Sequence, residues 1–278
     1  MVECVTAASG KGILEFQNVR GKTALTRVMA SHPLTLLNPR QRGGDCAWVV
    51  TGTLGGGLLG GDSIQMDVTV GADCRAVIGT QASTKVYRCE NGRASSQHFS
   101  ARLRENAMLI LAPDPVSCFA GSIYNQRQCF DLAPSAALIV VDWITSGRRA
   151  RGERWDMTRC QLRTDVAVGG RQIVRDALRL DAADGELASP ARMGRFDCWA
   201  TIVLIGPALA TATEELLHFT AEQRVAADAP LIFSAGAIRG GALVRIAGDS
   251  TEQVTHWLGD HLSFIIDLAG EDPWSRKG

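Results

Sequence analysis

From Ile13 to about Leu180 the chain is a succession of short segments in which apolar and polar residues alternate. In Ser63 to Val70 the residues Ile64, Met66, Val68 and Val70 share one face; in Ser95 to Arg104 the set is Phe99, Ala101 and Leu103. A period of two places successive side chains on opposite faces of a strand, so each segment has one face to bury. The segments also repeat. Val70 to Ile78, Leu103 to Leu111 and Leu132 to Val140 each read as strand, polar turn, strand, at offsets of 33 and 29 residues. Repeats of that length are supersecondary units that stack to share one core. The expected fold is therefore mainly β, a coiled stack of strands resembling a β-solenoid or a layered β-sandwich.

Each copy is followed by an unusual polar segment: Thr80-Gln81-Ala82-Ser83-Thr84-Lys85, then Pro113-Asp114-Pro115-Val116-Ser117, then Asp142-Trp143-Ile144-Thr145-Ser146-Gly147-Arg148. Stacking predicts Thr84, Asp114 and Asp142 along one edge, joined by Asp62 where the chain enters the first unit. Such oxygens suit a divalent cation, or an acid and base pair in a hydrolase. Oxygen groups spread over several loops, without cysteine or histidine, suit weak contact with a hydrated cation more than permanent storage. Asp62 follows two glycines and has a simpler alternative role in bonding turn amides. Asp142 continues the apolar run Leu138 to Val141 and needs a partner if buried.

The run Gly55-Gly56-Gly57-Leu58-Leu59-Gly60-Gly61-Asp62 contains a literal G-x-G-x-x-G, yet a strand follows it where a dinucleotide site requires a helix. It is read as a tight turn between strands. No G-x-S-x-G elbow and no phosphate loop of the G-x-x-x-x-G-K-[ST] type occur. Lys85, Tyr87 and Arg88 form either an anion site or a solvated edge, and Gly147-Arg148 and Gly152-Glu153 are placed to pair across a turn.

Beyond Trp199 the character changes. Ala200 to Gly206, Leu231 to Ala237 and Leu243 to Ala247 read as strands. Thr211 with Glu214, and Ser250 with Gln253, have capping-box spacing and predict two helices. The second carries the stripe Val254, Trp257, Leu258, His261, Leu262 and Ile265, read as core packing. One domain over 1–278 is expected, β-rich over about 13–180 and α+β over about 199–270. Lysine plus arginine balances aspartate plus glutamate at 29 each, so no long-range field favours nucleic acid or an anionic membrane. The eight cysteines include no C-x-x-C, the histidines are dispersed, and structural zinc is not expected. No run reaches the roughly 18 apolar residues of a membrane span. Met1 to Gly10 lacks the basic and apolar regions of a signal peptide, so reduced thiols in the cytoplasm are expected.

Taken together, Gly56, Gly57, Gly60 and Gly61 with Asp62, then Gln81, Thr84, Lys85, Tyr87 and Arg88, then Gly121-Ser122 with Tyr124 and Gln126, then Asp142, Gly147-Arg148 and Gly152-Glu153 resemble the urease accessory protein UreD family, called UreH in some systems. The resemblance runs from about Gly21 to Leu180, with Arg245 the clearest agreement beyond it. It implies a non-enzymatic β scaffold that binds apo-urease and the helical accessory protein UreF, which recruits the nickel-carrying GTPase UreG. It further implies transient nickel and no permanent cofactor, the metal passing inside the protein along Asp62, Thr84, Asp142 and Asp176. Asp176 stands where relatives carry glutamate. Many bacterial members end in a proline, arginine and tryptophan cluster, reduced here to Asp272-Pro273-Trp274-Ser275-Arg276.

The competing reading is a β-solenoid carbohydrate hydrolase or lyase using Asp114 and Asp142. It requires an open groove with aromatics for sugar stacking, and the chain has only two tyrosines.

Overall fold

A computed structural model describes residues 8–39, 45–90, 92–226 and 228–274. Along the first half run β1 (Ser9–Val19), β2 (Lys22–Ala30), β3 (Leu34–Leu37), β4 (Cys46–Thr53), β5 (Ser63–Val70), β6 (Arg75–Thr80), β7 (Thr84–Val86), β8 (Ser95–Leu103), β9 (Met108–Ala112), β10 (Val116–Cys118), β11 (Ile123–Leu132) and β12 (Ala137–Thr145). The second half holds β13 (Arg159–Val168), β14 (Arg171–Asp181), β15 (Cys198–Ile205), α1 (Ala210–Glu222), β16 (Leu231–Ile238), β17 (Gly241–Gly248), α2 (Thr251–His261) and α3 (Phe264–Ala269).

The strands form two sheets. One has the order β14-β13-β11-β8-β5-β1-β2; the other has β16-β17-β15-β12-β9-β6-β4-β3, with β10 paired to β7 and β12 beside it. From β4 to β13 the chain alternates between them, so each coil lays one parallel strand on each sheet. The repeat read from the sequence is this coil. Val70 pairs with Leu103 and Leu103 with Leu132, while Ile78 pairs with Leu111 and Leu111 with Val140, the offsets of 33 and 29 being the rise of successive turns.

Alternation assigns the faces. On β12, Leu138 and Val140 pack between the sheets with Leu109, Leu111, Phe130 and Val166. The intervening Ile139, Val141 and Trp143 face the helices with Trp257, Leu258 and Ile265. The second sheet is thus covered on both faces, which is why β12 is buried from Ala137 to Ile144. The first sheet keeps an outer face rich in charge, where Arg127, Arg163 and Arg175 surround Asp165.

Two helical expectations are corrected. Thr211 does not cap α1, because a single 3-10 turn over Pro207–Leu209 already leads the chain into the helix at Ala210, and an N-cap residue must be extended. The closing segment is two helices and not one, giving three α-helices among the described residues. Leu262 leaves helical geometry, and the break lets Leu262, Ile265 and Ala269 all reach the core. Ser250 does cap α2, accepting from the Gln253 amide at 3.3 Å. Cys4, Ser275 and Arg276 lie outside the described residues. None of the other seven cysteines is joined in a disulfide.

Candidate functional site

The parity that sends Leu138 and Val140 between the sheets carries Asp142 there too. It is 8% exposed, lies at the end of an apolar strand, and accepts a 2.8 Å hydrogen bond from Gln126 Nε2 on β11. Burial pushes its carboxyl up from 3.8 to about 6; the Gln126 bond opposes this and the charge of Asp176 adds to it.

Asp142 borders a cavity of about 80 Å³ between the sheets, shared with Thr84, Asp114, Gln97, Gln126 and Gln128. A water needs roughly 10–15 Å³ of such space, so several water-sized particles fit. The Oε1 of Gln128, a residue 5% exposed, has no hydrogen-bond partner and is a free buried acceptor in this wall. A second cavity of about 160 Å³ shares Thr84 and Gln97 with the first and extends to Gln81, Gly56 and Lys85. Lys85 and Ser83 in turn border a surface groove with Tyr87, Phe119, Arg148 and Arg151. Through these shared lining residues the spaces adjoin one another from Asp142 to the surface at Lys85, with polar groups at intervals along mainly apolar walls.

The glycine turn builds this end of the molecule. Gly57 lies so close to β7 that a Cβ would meet Lys85 O at 2.5 Å and Tyr87 Cε2 at 2.7 Å. That approach lets Leu58 bond in strand fashion, its amide to Lys85 O at 2.8 Å and its carbonyl to the Tyr87 amide at 2.9 Å. Gly60 lies against Cys89, and Gly56 and Gly61 take positive φ values of 75° and 97° that favour glycine. Beside this turn, Tyr87 packs edge-on to Phe119 at 5.4 Å, and the Arg148 guanidinium sits 4.2 Å above the same ring. Arg148 Nε bonds Glu153 at 3.0 Å, the pairing across the turn that Gly147 and Gly152 permit with φ of 109° and 80°. The bond from Arg148 holds the Glu153 carboxyl below its ordinary range. Arg88 packs beside Gly121.

Of the predicted oxygen edge, Thr84, Asp114 and Asp142 come together at one cavity. Asp114 is engaged with Thr80, whose hydroxyl donates to Asp114 Oδ2 at 3.0 Å and accepts from the Asp114 amide at 2.7 Å. Asp62 does not join them. Its Oδ1 accepts from the Ala8 amide at 2.8 Å and its Oδ2 from the Leu59 amide at 2.9 Å, so it fastens the turn, the alternative open to an aspartate after glycines. Asp176 also lies off the cavity lining and forms an ion pair with Arg245 that ties β14 to β17. Among the described residues no group of three or more histidine, cysteine, aspartate or glutamate side chains is arranged to hold a metal ion. What the cavities offer a cation is the carboxylates of Asp142 and of Asp114, the latter already bonded to Thr80, with hydroxyls and amide oxygens, a set for passing contact. Nor do Asp114 and Asp142 face an open groove; both are more than nine-tenths buried around a space too small for a sugar ring, against the geometry a glycan-cleaving site requires.

Gln97 and Gln128 are cavity residues that the sequence reading passed over, and Thr80 was read only as part of its polar segment. The signal for Gln97 was present: it shares the inward parity of Phe99, Ala101 and Leu103, so a polar side chain is directed into the core.

The family model described as UreD urease accessory protein matches residues 8–275. A urease accessory protein UreD of Sorangium cellulosum is 45% identical over 272 residues, covering 97% of this chain and 84% of its own. One from Anaeromyxobacter is 41% identical over 268 residues, covering 96% and 89%. A urease accessory protein D of Arabidopsis thaliana is 31% identical over 296 residues, covering 96% and 100%. These matches extend through the C-terminal helices, beyond the Gly21 to Leu180 span on which the resemblance was read.

Proposed function

This chain belongs to the UreD urease accessory protein family, and from its interior we propose that it is the maturation scaffold through which nickel reaches apo-urease. The observation that carries this is the pair of adjoining cavities between the sheets, with Asp142 at the inner end and Lys85 at the surface end. A divalent cation loses too much hydration energy to cross an apolar core, so a route needs oxygen atoms along its length. Thr84, Asp142 and the glutamine side chains supply them. Asp142 with an Asp114 already engaged by Thr80 holds a cation weakly enough to release it, as transit requires. Nickel is cargo in this reading, and no cofactor is retained.

The scaffold binds apo-urease on one side and UreF on another, with UreG recruited through UreF, in the cytoplasm. No helix among the described residues is long and apolar enough to cross a membrane. The test is co-expression of urease with its accessory proteins, with and without this chain, followed by nickel content and activity of the purified urease. Unchanged nickel content on omission would end the proposal. In the same system Asp142→Ala is expected to lower activation while partners still co-purify; loss of co-purification would make Asp142 a structural residue.

A further inference from the structure

The surface groove at the outer end of the cavities is built on one register. Lys85 of β7 pairs with Ser117 of β10, and Ser117 with Thr145 of β12, so these three side chains lie abreast. The row before them, Thr84, Val116 and Ile144, faces inward, and alternation therefore turns Lys85, Ser117 and Thr145 outward. Tyr87 and Phe119 wall this row, and Arg148 and Arg151 close it, the latter from a 3-10 turn over Arg149–Arg151. The groove encloses about 660 Å³, in the range of ligand-binding clefts.

Its charge is one-sided. Among the described residues three cations line it and no carboxylate does. Glu153 stands behind Arg148, where that guanidinium and the Ala120 amide already engage it. Glu252, next to Thr251 on α2, is exposed and lies off the lining. Lys85 and Arg151 are exposed and form no ion pair among the described residues. Cationic and acidic residues balance at 29 each over the whole chain, so the excess is local.

This polarity opposes the entry of a free cation. Lys85 borders both the groove and the outer cavity, so a hydrated dication arriving from solvent meets two unpaired positive charges before it reaches an oxygen ligand. A carboxylate-bearing segment laid in the groove cancels those charges and brings its own oxygen atoms to the entrance. We propose that the groove is the docking site of an acidic segment of a partner protein, and that the route accepts a cation only while that segment covers Lys85 and Arg151. This rests on the cation-passage reading above. A peptide fits better than other polyanions. Two unpaired cations fall short of the roughly six to ten phosphate contacts that hold a nucleic acid, and of the cluster of about four to eight that marks an anionic membrane site. Tyr87, Phe119 and Pro115 give apolar side chains between the carboxylates a surface to pack on.

The experiment is fluorescence anisotropy of a short labelled peptide of glutamate and leucine with the full chain, beside the same peptide with glutamine for glutamate. The glutamate peptide should bind about tenfold more tightly, with the difference shrinking as salt rises from roughly 50 to 300 mM. Lys85→Glu with Arg151→Glu should abolish the preference. Arg171→Glu with Arg239→Glu, an equal charge change in a groove at the other end of β12, should leave it intact. Equal binding of the glutamine peptide, an undiminished preference in the Lys85 and Arg151 variant, or displacement by millimolar inorganic phosphate or by phosphatidylserine vesicles overturns the docking site. Nickel ion alone checks the barrier. It should broaden the Gln97 side-chain amide signal of Lys85→Gln with Arg151→Gln at about tenfold lower concentration than in the wild type, because the neutral mouth no longer repels it. Equal broadening in both proteins, or none in either, removes the barrier. If the peptide binds as expected and urease gains its full nickel without this chain, the docking site stands and the passage reading falls. If the peptide arm fails, the passage reading is still decided by the nickel content of urease.

Discussion

Gln126 Nε2 donates 2.8 Å to Asp142 Oδ1 across the space between the two sheets, joining consecutive strands of one coil. This is the only hydrogen bond described to the Asp142 carboxyl, and one neutral donor does not offset the desolvation of a buried charge. The carboxyl therefore rises to about 6. The site gains a group that can lose its proton near neutrality, at the expense of folding stability.

That expense has a definite pH signature. Between the ordinary 3.8 and about 6 the folded protein keeps a proton that the unfolded chain has released. Stability from this group is thus greatest in acid, falls as pH rises through that window, and is level above it. Asp142→Asn removes the effect, so the variant should gain on the wild type by on the order of 3 kcal/mol between the acid and neutral limits. Urea unfolding of both proteins on each side of the window measures this; a constant difference would mean that folding does not raise the Asp142 carboxyl.

Asp176 acts on Asp142 through charge alone, raising its carboxyl. Asp176→Asn should lower the Asp142 midpoint, read by carboxyl NMR, while leaving Arg245 on β17 without its partner across the sheets. A midpoint that rises would show that Asp176 instead helps to hold Asp142 ionised.

Asp62→Ala should act on folding and not on metal transfer. It removes both acceptors of the Ala8 and Leu59 amides, and unsatisfied buried donors cost roughly 1–3 kcal/mol. The expected result is a lower melting temperature with urease activation lost only in proportion to folded protein. Full stability with failed activation would return Asp62 to the nickel route.

Gly57→Ala puts a methyl group 2.5 Å from Lys85 O, where backbone on both sides cannot yield cheaply. Overpacking of this kind costs about 1–3 kcal/mol. Gly236→Ala in β16, where nothing lies within 4 Å and φ is ordinary, is the control and should be near neutral. Equal effects at the two positions would remove the case that the glycine turn is pressed against β7.

Much of this fold was legible because its information is local. Alternation at Ile64 to Val70 or Phe99 to Leu103 names the buried face of a strand, and the offsets of 33 and 29 residues give the pairing of Val70 with Leu103 and of Leu103 with Leu132. Inward parity likewise marks Asp142, Gln126 and Gln97 as polar groups sent into a core. Parity and spacing are properties of the chain, and stacking coils preserve them. They could not show that Asp62 spends both oxygens on the amides of Ala8 and Leu59, since Ala8 lies 54 residues away and arrives only when β1 docks beside β5. Nor could they show that Leu262 breaks the closing helix, because the gain from burying Ile265 and Ala269 exists only against a finished sheet. The chain of contacts from Asp142 to Gln97 belongs to this second kind. Running through Gln126 and Tyr124, its residues come from three strands on two sheets, and they reach hydrogen-bond distance of one another only once the coils have stacked.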